Sequence, residues 1–433
     1  MLSLATLVVT LIVLAIGSRS LPAQGPNPTN LWSVSLSWRG SVLVAGKPVK
    51  LTHDDGVNSQ PSFTPDGRAI VFSATRDTGS SARSEIYRYD FASAKETRVT
   101  TTPENENSPT VNARGEYLAV RWVPATLFKE FGPWVYAADG SPRRRMLPVA
   151  DTTGYYTPLA GGRFILTRPK SRTFTVAMFD SAAGTIVDLD SGVPALPVQR
   201  VPNARAVSYV VIDSAAANHT LRRYHLVSRR RTNLGHTVPG RTAHTWIPDR
   251  STILMAKGNV LYSRRAGARA DTTWRVVATF DDPDLRHASA YVVSPDGGRL
   301  ILTSPKRLPL AVVVRDSLEA GRAGRDISAM VMTWRGVGLS KGYDVTEASL
   351  IAVGDAWLAR RHFADAVALQ GLSTLLFPLS HRAMARLGDA QRAAGDNAAA
   401  GVAYEKALAL NIRATKEEQS AADSVEQRLK GLR

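Results

Sequence analysis

Three groups of residues in this chain have types or spacings that could carry chemistry. The first is Gly338-Leu339-Ser340-Lys341-Gly342, which has the glycine–serine–glycine spacing of a nucleophile elbow. An elbow serine needs a strand before it and a helix after it, at the top of a strand-rich sheet. Fewer than a hundred residues follow Ser340, all with helical periodicity, so it reads as a linker turn and no catalytic residue is assigned. The second group is the eight histidines, His53, His219, His225, His236, His244, His287, His362 and His381. None has the two-ligand helical spacing or short cluster of a metal site, so no metal and no cofactor is expected. His53-Asp54-Asp55 is the best candidate for a divalent ion, with a solvated loop as the plainer account. The third group is cationic: Arg76, Arg121, Arg168 with Lys170 and Arg172, Lys257, and Lys306 with Arg307, each closing a short aliphatic run. Whether they act together depends on the elements that carry them.

Those elements repeat. Ser59 to Thr100 holds four short alternating runs separated by turn signals, the size of one four-stranded propeller blade. In Pro65-Asp66-Gly67, Pro sets φ at the first turn position, Asp accepts a local backbone hydrogen bond and Gly takes positive φ. The aliphatic run after each such turn has the character of a strand packed on both faces. Further units start near Ser108, Tyr155, Ser208, Thr245 and Ser289, and Pro295-Asp296-Gly297 repeats the full turn signal. Asn30 to Leu36 and Lys47 to Thr52 resemble third and fourth strands with no first or second before them. They are expected to complete the blade begun at Tyr291 and so close the ring, since an open ring would leave strand edges unpaired. If Leu310 to Arg315 instead supplied that third strand, seven blades would be possible; six are expected. The loops after each second strand gather at one mouth of the channel. This makes Arg76, Arg121, Arg168, Lys170, Lys257, Lys306 and Arg307 a candidate cationic rim for an anionic ligand or acidic peptide, with Asp213 in the fourth blade. The alternative is that each cation pairs with a nearby acid of its own repeat, such as Asp77.

Ser59-Gln60-Pro61-Ser62-Phe63-Thr64-Pro65-Asp66-Gly67-Arg68-Ala69-Ile70-Val71-Phe72, followed by Glu85-Ile86-Tyr87-Arg88-Tyr89-Asp90, resembles the WD-like repeat of TolB-type propellers. Related repeats occur in the propellers of prolyl oligopeptidase-like peptidases and oligogalacturonate lyases. The resemblance covers about 300 residues, is strongest in the first unit, and implies an all-β propeller fold. It leaves function open, because one fold serves scaffolds, gating domains and enzymes.

From Glu347 the period becomes helical. Leu387-Gly388, Gly395-Asp396, Ala400, Tyr404 and Ala407 resemble the small and large positions of a tetratricopeptide repeat, where small residues let two helices approach closely. Gly354, Trp357, Ala366 and Pro378 have corresponding spacing, and Glu417 to Leu432 reads as a capping helix. The expected domains are a signal peptide over 1–24, a propeller over 25–317, a linker over 318–346 and a small all-α unit over 347–433.

Leu4 to Ile16 is an apolar run with small residues beyond it, which reads as a secretory leader cleaved near Ala23, or else as an uncleaved anchor. A chain with no cysteine must rely on core size, and 44% hydrophobic content supplies it. The net charge is +17, with 43 arginines to 11 lysines, and the basic runs lack interleaved aromatics, so nucleic acid is not expected as a partner. Arg143-Arg144-Arg145 and Arg229-Arg230-Arg231 fall at outer-strand turns. The expected function is a non-enzymatic exported scaffold of the bacterial envelope, periplasmic or secreted, that binds protein or an anionic envelope polymer. Membrane association is expected only with an uncleaved leader. The alternative is an enzyme or binding protein acting on acidic polysaccharide, which would need a histidine set in the channel.

Overall fold

The computed structural model describes residues 27–54, 56–76, 83–122, 131–147, 152–170, 173–212, 219–248, 251–266, 273–310, 314–315, 343–344, 346–411 and 416–432. The leader, Arg172, Asp213 and Ser340 lie outside these residues. The chain forms two compact units, one of Pro26–Arg307 and one containing Leu308–Arg433.

The first unit is a six-bladed propeller. It opens with β1 (Thr29–Arg39), β2 (Val42–Ala45) and β3 (Val49–Lys50). Blade 1 is β4 (Asn58–Phe63), β5 (Ala69–Thr75), β6 (Ser84–Asp90) and β7 (Lys95–Arg98), and blade 2 is β8 (Asn105–Val111), β9 (Tyr117–Trp122), β10 (Phe131–Tyr136) and β11 (Pro142–Arg145). Blade 3 is β12 (Tyr155–Pro158), β13 (Arg163–Lys170), β14 (Thr173–Asp180) and β15 (Thr185–Val193). Blade 4 is β16 (Gln199–Arg200), β17 (Ala206–Val211), β18 (Thr220–His225) and β19 (Arg231–His236). Blade 5 is β20 (Thr245–Ile247), β21 (Thr252–Lys257), β22 (Val260–Arg265) and β23 (Arg275–Thr279). Blade 6 begins with β24 (Ser289–Val293) and β25 (Arg299–Pro305).

Blade 6 is completed from the other end of the unit. β1 runs antiparallel to β25, from Thr29 opposite Pro305 to Ser35 opposite Arg299, and β3 and β2 pair with β1 outside it. The ring therefore closes through the N-terminal strands as expected. Leu310, Val314 and Arg315 are helical rather than a third strand. Leu31, with no exposed surface, packs with Leu51, Phe63, Ile70 and Phe72, so the closing strand also reaches the core of blade 1.

Second strands are buried on both faces. Ala69, Ile70, Val71 and Phe72 have no exposed surface, which explains their unbroken aliphatic run. The turn before β5 has the geometry its residues imply. The Thr64 hydroxyl donates to Asp66 at 2.6 Å, Gly67 N–H donates to Thr64 O at 2.9 Å, and Gly67 sits at φ 71°. Ser294, Asp296 and Gly297 repeat this before β25. The side-chain bonds from Thr64 and Ser294 hold the Asp66 and Asp296 carboxyls below the usual range.

The second unit contains α1 (Glu347–Ala359), α2 (Phe363–Leu376), α3 (His381–Ala393), α4 (Asn397–Leu410) and α5 (Lys416–Lys430). Ser380 caps α3 by accepting from Ala383 N–H, and Asp396 caps α4 by accepting from Ala399 N–H. The first two helical hairpins each hold an internal bond of the same spacing. Gln370 Nε2 donates to Asp355 and Tyr404 O–H donates to Asp389, each across 15 residues. Gly354 and Gly388 sit where these two side chains cross, and a Cβ there would come within 2.4 Å of Gln370 and 2.5 Å of the Tyr404 ring. No described helix is long and apolar enough to cross a membrane.

Candidate functional site

The innermost strands of the six blades each have one hydrogen-bonded neighbour, so their free edges face the channel. They enclose a cavity of ≈ 660 Å³ that opens toward the mouth carrying the turns between first and second strands. Its wall combines hydrogen-bonding side chains (Gln60, Ser62, Thr110, Thr157, Gln199, Thr245) with the rings of Tyr156, Trp246 and Tyr291. Arg200 is the charged residue on this wall, and no carboxylate lines it among the described residues.

Local backbone irregularity aims part of this wall. Gln60 and Ser108 stand at φ 54° and 53°, each just before a proline, where the pairing of β4 with β5 and of β8 with β9 slips by a bulge. The bulge brings Gln60 Oε1 to 2.6 Å from Ser108 N–H, tying blade 1 to blade 2. Tyr156 O–H donates to Leu118 O at 2.6 Å and ties blade 3 to blade 2. Burial pushes the Tyr156, Tyr155 and Tyr291 phenols above their ordinary range, so they act as neutral hydroxyls. The prolines at 61 and 109, in equivalent places of the first strands of blades 1 and 2, were a sequence signal for these positions.

Behind Trp246 lies a buried polar chain. Trp246 Nε1 donates to Ser208 Oγ at 2.8 Å, and Ser208 Oγ lies 2.8 Å from His244 Nε2. Burial lowers the His244 pKa to about 4, so the ring is neutral. Ser208 has no exposed surface, which makes this a support for Trp246 rather than an open nucleophile.

The proposed cationic rim lies at the opposite mouth, at strand ends. Arg121 is in β9, Arg168 and Lys170 are in β13, Lys257 ends β21, and Arg76 and Lys306 directly follow β5 and β25. Several are paired. Arg76 bonds Asp54 at 3.0 Å and Glu96 at 2.7 Å and covers the Tyr87 ring. Arg121 bonds Glu104 and covers Trp134, and Lys170 meets Asp188 at 3.2 Å with Arg168 3.9 Å from the same carboxylate. Arg307 exchanges hydrogen bonds with Asn27 through its backbone, and Lys306 N–H donates to Pro28 O. Asp54 serves Arg76, Asn58 and the Gly56 N–H, while Asp55 is outside the described residues. Among the described residues no three His, Asp or Glu side chains come together as a metal site.

No family model matches this chain, and no curated protein matches it. Solved structures do align with it at low identity. A putative TolB from Agrobacterium tumefaciens is 13% identical with a TM-score of 0.46, covering 65% of this chain and 99% of that one. TolB from Acinetobacter baumannii is 20% identical with a TM-score of 0.37, over 48% of this chain and 52% of that one, so this chain spans about half its length. An oligogalacturonate lyase in complex with manganese is 13% identical with a TM-score of 0.40, over 61% of this chain and 81% of that one.

Proposed function

We propose that this chain is an exported binding protein: a TolB-like propeller that takes an extended segment of a partner protein into its channel, followed by tetratricopeptide-like helices. The observation that carries this reading is the 660 Å³ cavity, walled by free strand edges, neutral hydrogen-bonding side chains and the rings of Phe63, Tyr156, Trp246 and Tyr291. Free strand edges present N–H and C=O groups to a peptide backbone, and rings accept its side chains. The matched Gln370–Asp355 and Tyr404–Asp389 bonds support a helical repeat in the second unit. The apolar run from Leu4 to Ile16 supports export to the envelope.

Site-specific photocrosslinking tests the channel. A photoreactive residue at Thr245, on the cavity wall, is compared with one at Lys95, on the outermost strand of blade 1, in envelope extract. A discrete adduct at Thr245 that excess unlabelled protein competes away, and that is absent at Lys95, is expected. Equal labelling at both positions overturns the reading.

A further inference from the structure

A second group of cations on the propeller lies not at the rim that closes the second strands but at the opposite mouth. Arg163 opens β13, Arg200 lies in β16, and Arg205 ends the turn into β17; together they line a pocket of ≈ 300 Å³ between blades 3 and 4. The rest of its wall is apolar, including Leu159, Leu226 and Val227. No carboxylate lines it among the described residues, and none of the three guanidinium groups has an ion-pair partner there. Arg163 makes one long bond, to Ala160 O at 3.5 Å. Asp180 stands opposite Arg163 in the strand register, but its carboxylate accepts from the N–H groups of Ala182 and Ala183 at the turn. Paired Arg76 and Arg121 at the other mouth give the contrast.

Like charges gathered in a concavity with no carboxylate on its described wall focus a positive potential into it, which an entering anion relieves. Three planar forks suit the three terminal oxygens of a phosphate monoester better than the two of a carboxylate. The geometry points to a phosphate-monoester site at Arg163, Arg200 and Arg205, opening into the channel cavity through Arg200, which lines both spaces. The site stands apart from the channel reading, because it requires neither the rings nor the free strand edges.

Calorimetric titration of the full chain with inorganic pyrophosphate tests a soluble phosphate. Co-sedimentation with phosphatidylcholine vesicles containing phosphatidic acid tests a lipid headgroup. Saturable binding in either arm, weakened at least tenfold by Arg200→Gln with Arg205→Gln and unaffected by Lys95→Gln, is expected. Pyrophosphate alone identifies a soluble ligand, and vesicles alone identify a lipid. Thermal unfolding is a second readout. The double variant should melt no lower than the parent without ligand, and added pyrophosphate should raise the melting point of the parent only. Absence of binding in both arms, equal affinity of the double variant, or glucuronate binding as tightly as pyrophosphate overturns the assignment. Thr245 crosslinking and this titration can fail independently.

Discussion

Glu85 of blade 1 and Glu106 of blade 2, both buried, are bridged by one hydroxyl: Thr100 Oγ1 lies 2.6 Å from Glu85 and 3.4 Å from Glu106. Arg98 and Thr102 N–H also bond Glu85, while the Thr102 and Tyr136 hydroxyls donate to Glu106. Burial, with the neighbouring Glu85 carboxylate adding to it, pushes the Glu106 carboxyl up to about 8, so it holds a proton at neutral pH. The joint between the first two blades is a pair of buried acidic side chains, with the proton on Glu106.

That pair gives an alkaline slope to stability. The folded state keeps the Glu106 proton where the unfolded chain releases it, so its stabilisation is complete below about pH 4.5 and declines as pH rises toward 8. Thermal unfolding of Glu106→Gln, which keeps a neutral side chain throughout, should lose this slope between pH 5 and 8. An unchanged slope would show that another group causes it.

His244 gives the opposite slope. Its folded pKa lies below the unfolded value near 6.5, so its contribution is complete above that value and lost as pH falls toward 4. His244→Gln should flatten the acid limb. Ser208→Ala leaves Trp246 Nε1 and His244 Nε2 without this partner, and about 1–3 kcal/mol of stability should be lost in chemical denaturation.

Ring closure predicts a large effect at Leu31. Leu31→Ala removes a fully buried side chain from the strand that completes blade 6, at a cost of about 2–5 kcal/mol. Val42→Ala, at an exposed side chain of β2, is the control and should change stability by less than about 0.5 kcal/mol. Equal effects in denaturant melts would remove the closing strand from the core.

The two helical glycines should differ. Alanine ordinarily favours a helix over glycine by about 1 kcal/mol. At Gly388 the new Cβ meets the rigid Tyr404 ring, so Gly388→Ala should destabilise the chain by about 1–3 kcal/mol. At Gly354 it meets the end of Gln370, which can swing aside, so Gly354→Ala should cost less. Thermal unfolding of the two variants ranks them directly.

The blade count, the turn chemistry and the composite sixth blade were legible in the order of residues, because each follows from local rules. Pro-Asp-Gly makes a turn wherever it stands, an aliphatic run between turns makes a strand, and two orphan strands at one end must pair with an incomplete sheet at the other. The two-residue strand Gln199–Arg200 was not legible, since two polar residues between Pro197 and Pro202 carry no period. The charges divide the same way. Sequence alone placed Arg76, Arg121, Arg168 and Lys170 near one mouth, but only the folded chain brought Asp54, Glu104 and Asp188 against them. It also gathered Arg163, Arg200 and Arg205, from two blades, around a pocket with no acid lining it among the described residues. Electrostatic balance depends on distances between residues far apart in the chain, and those distances exist only once the blades pack.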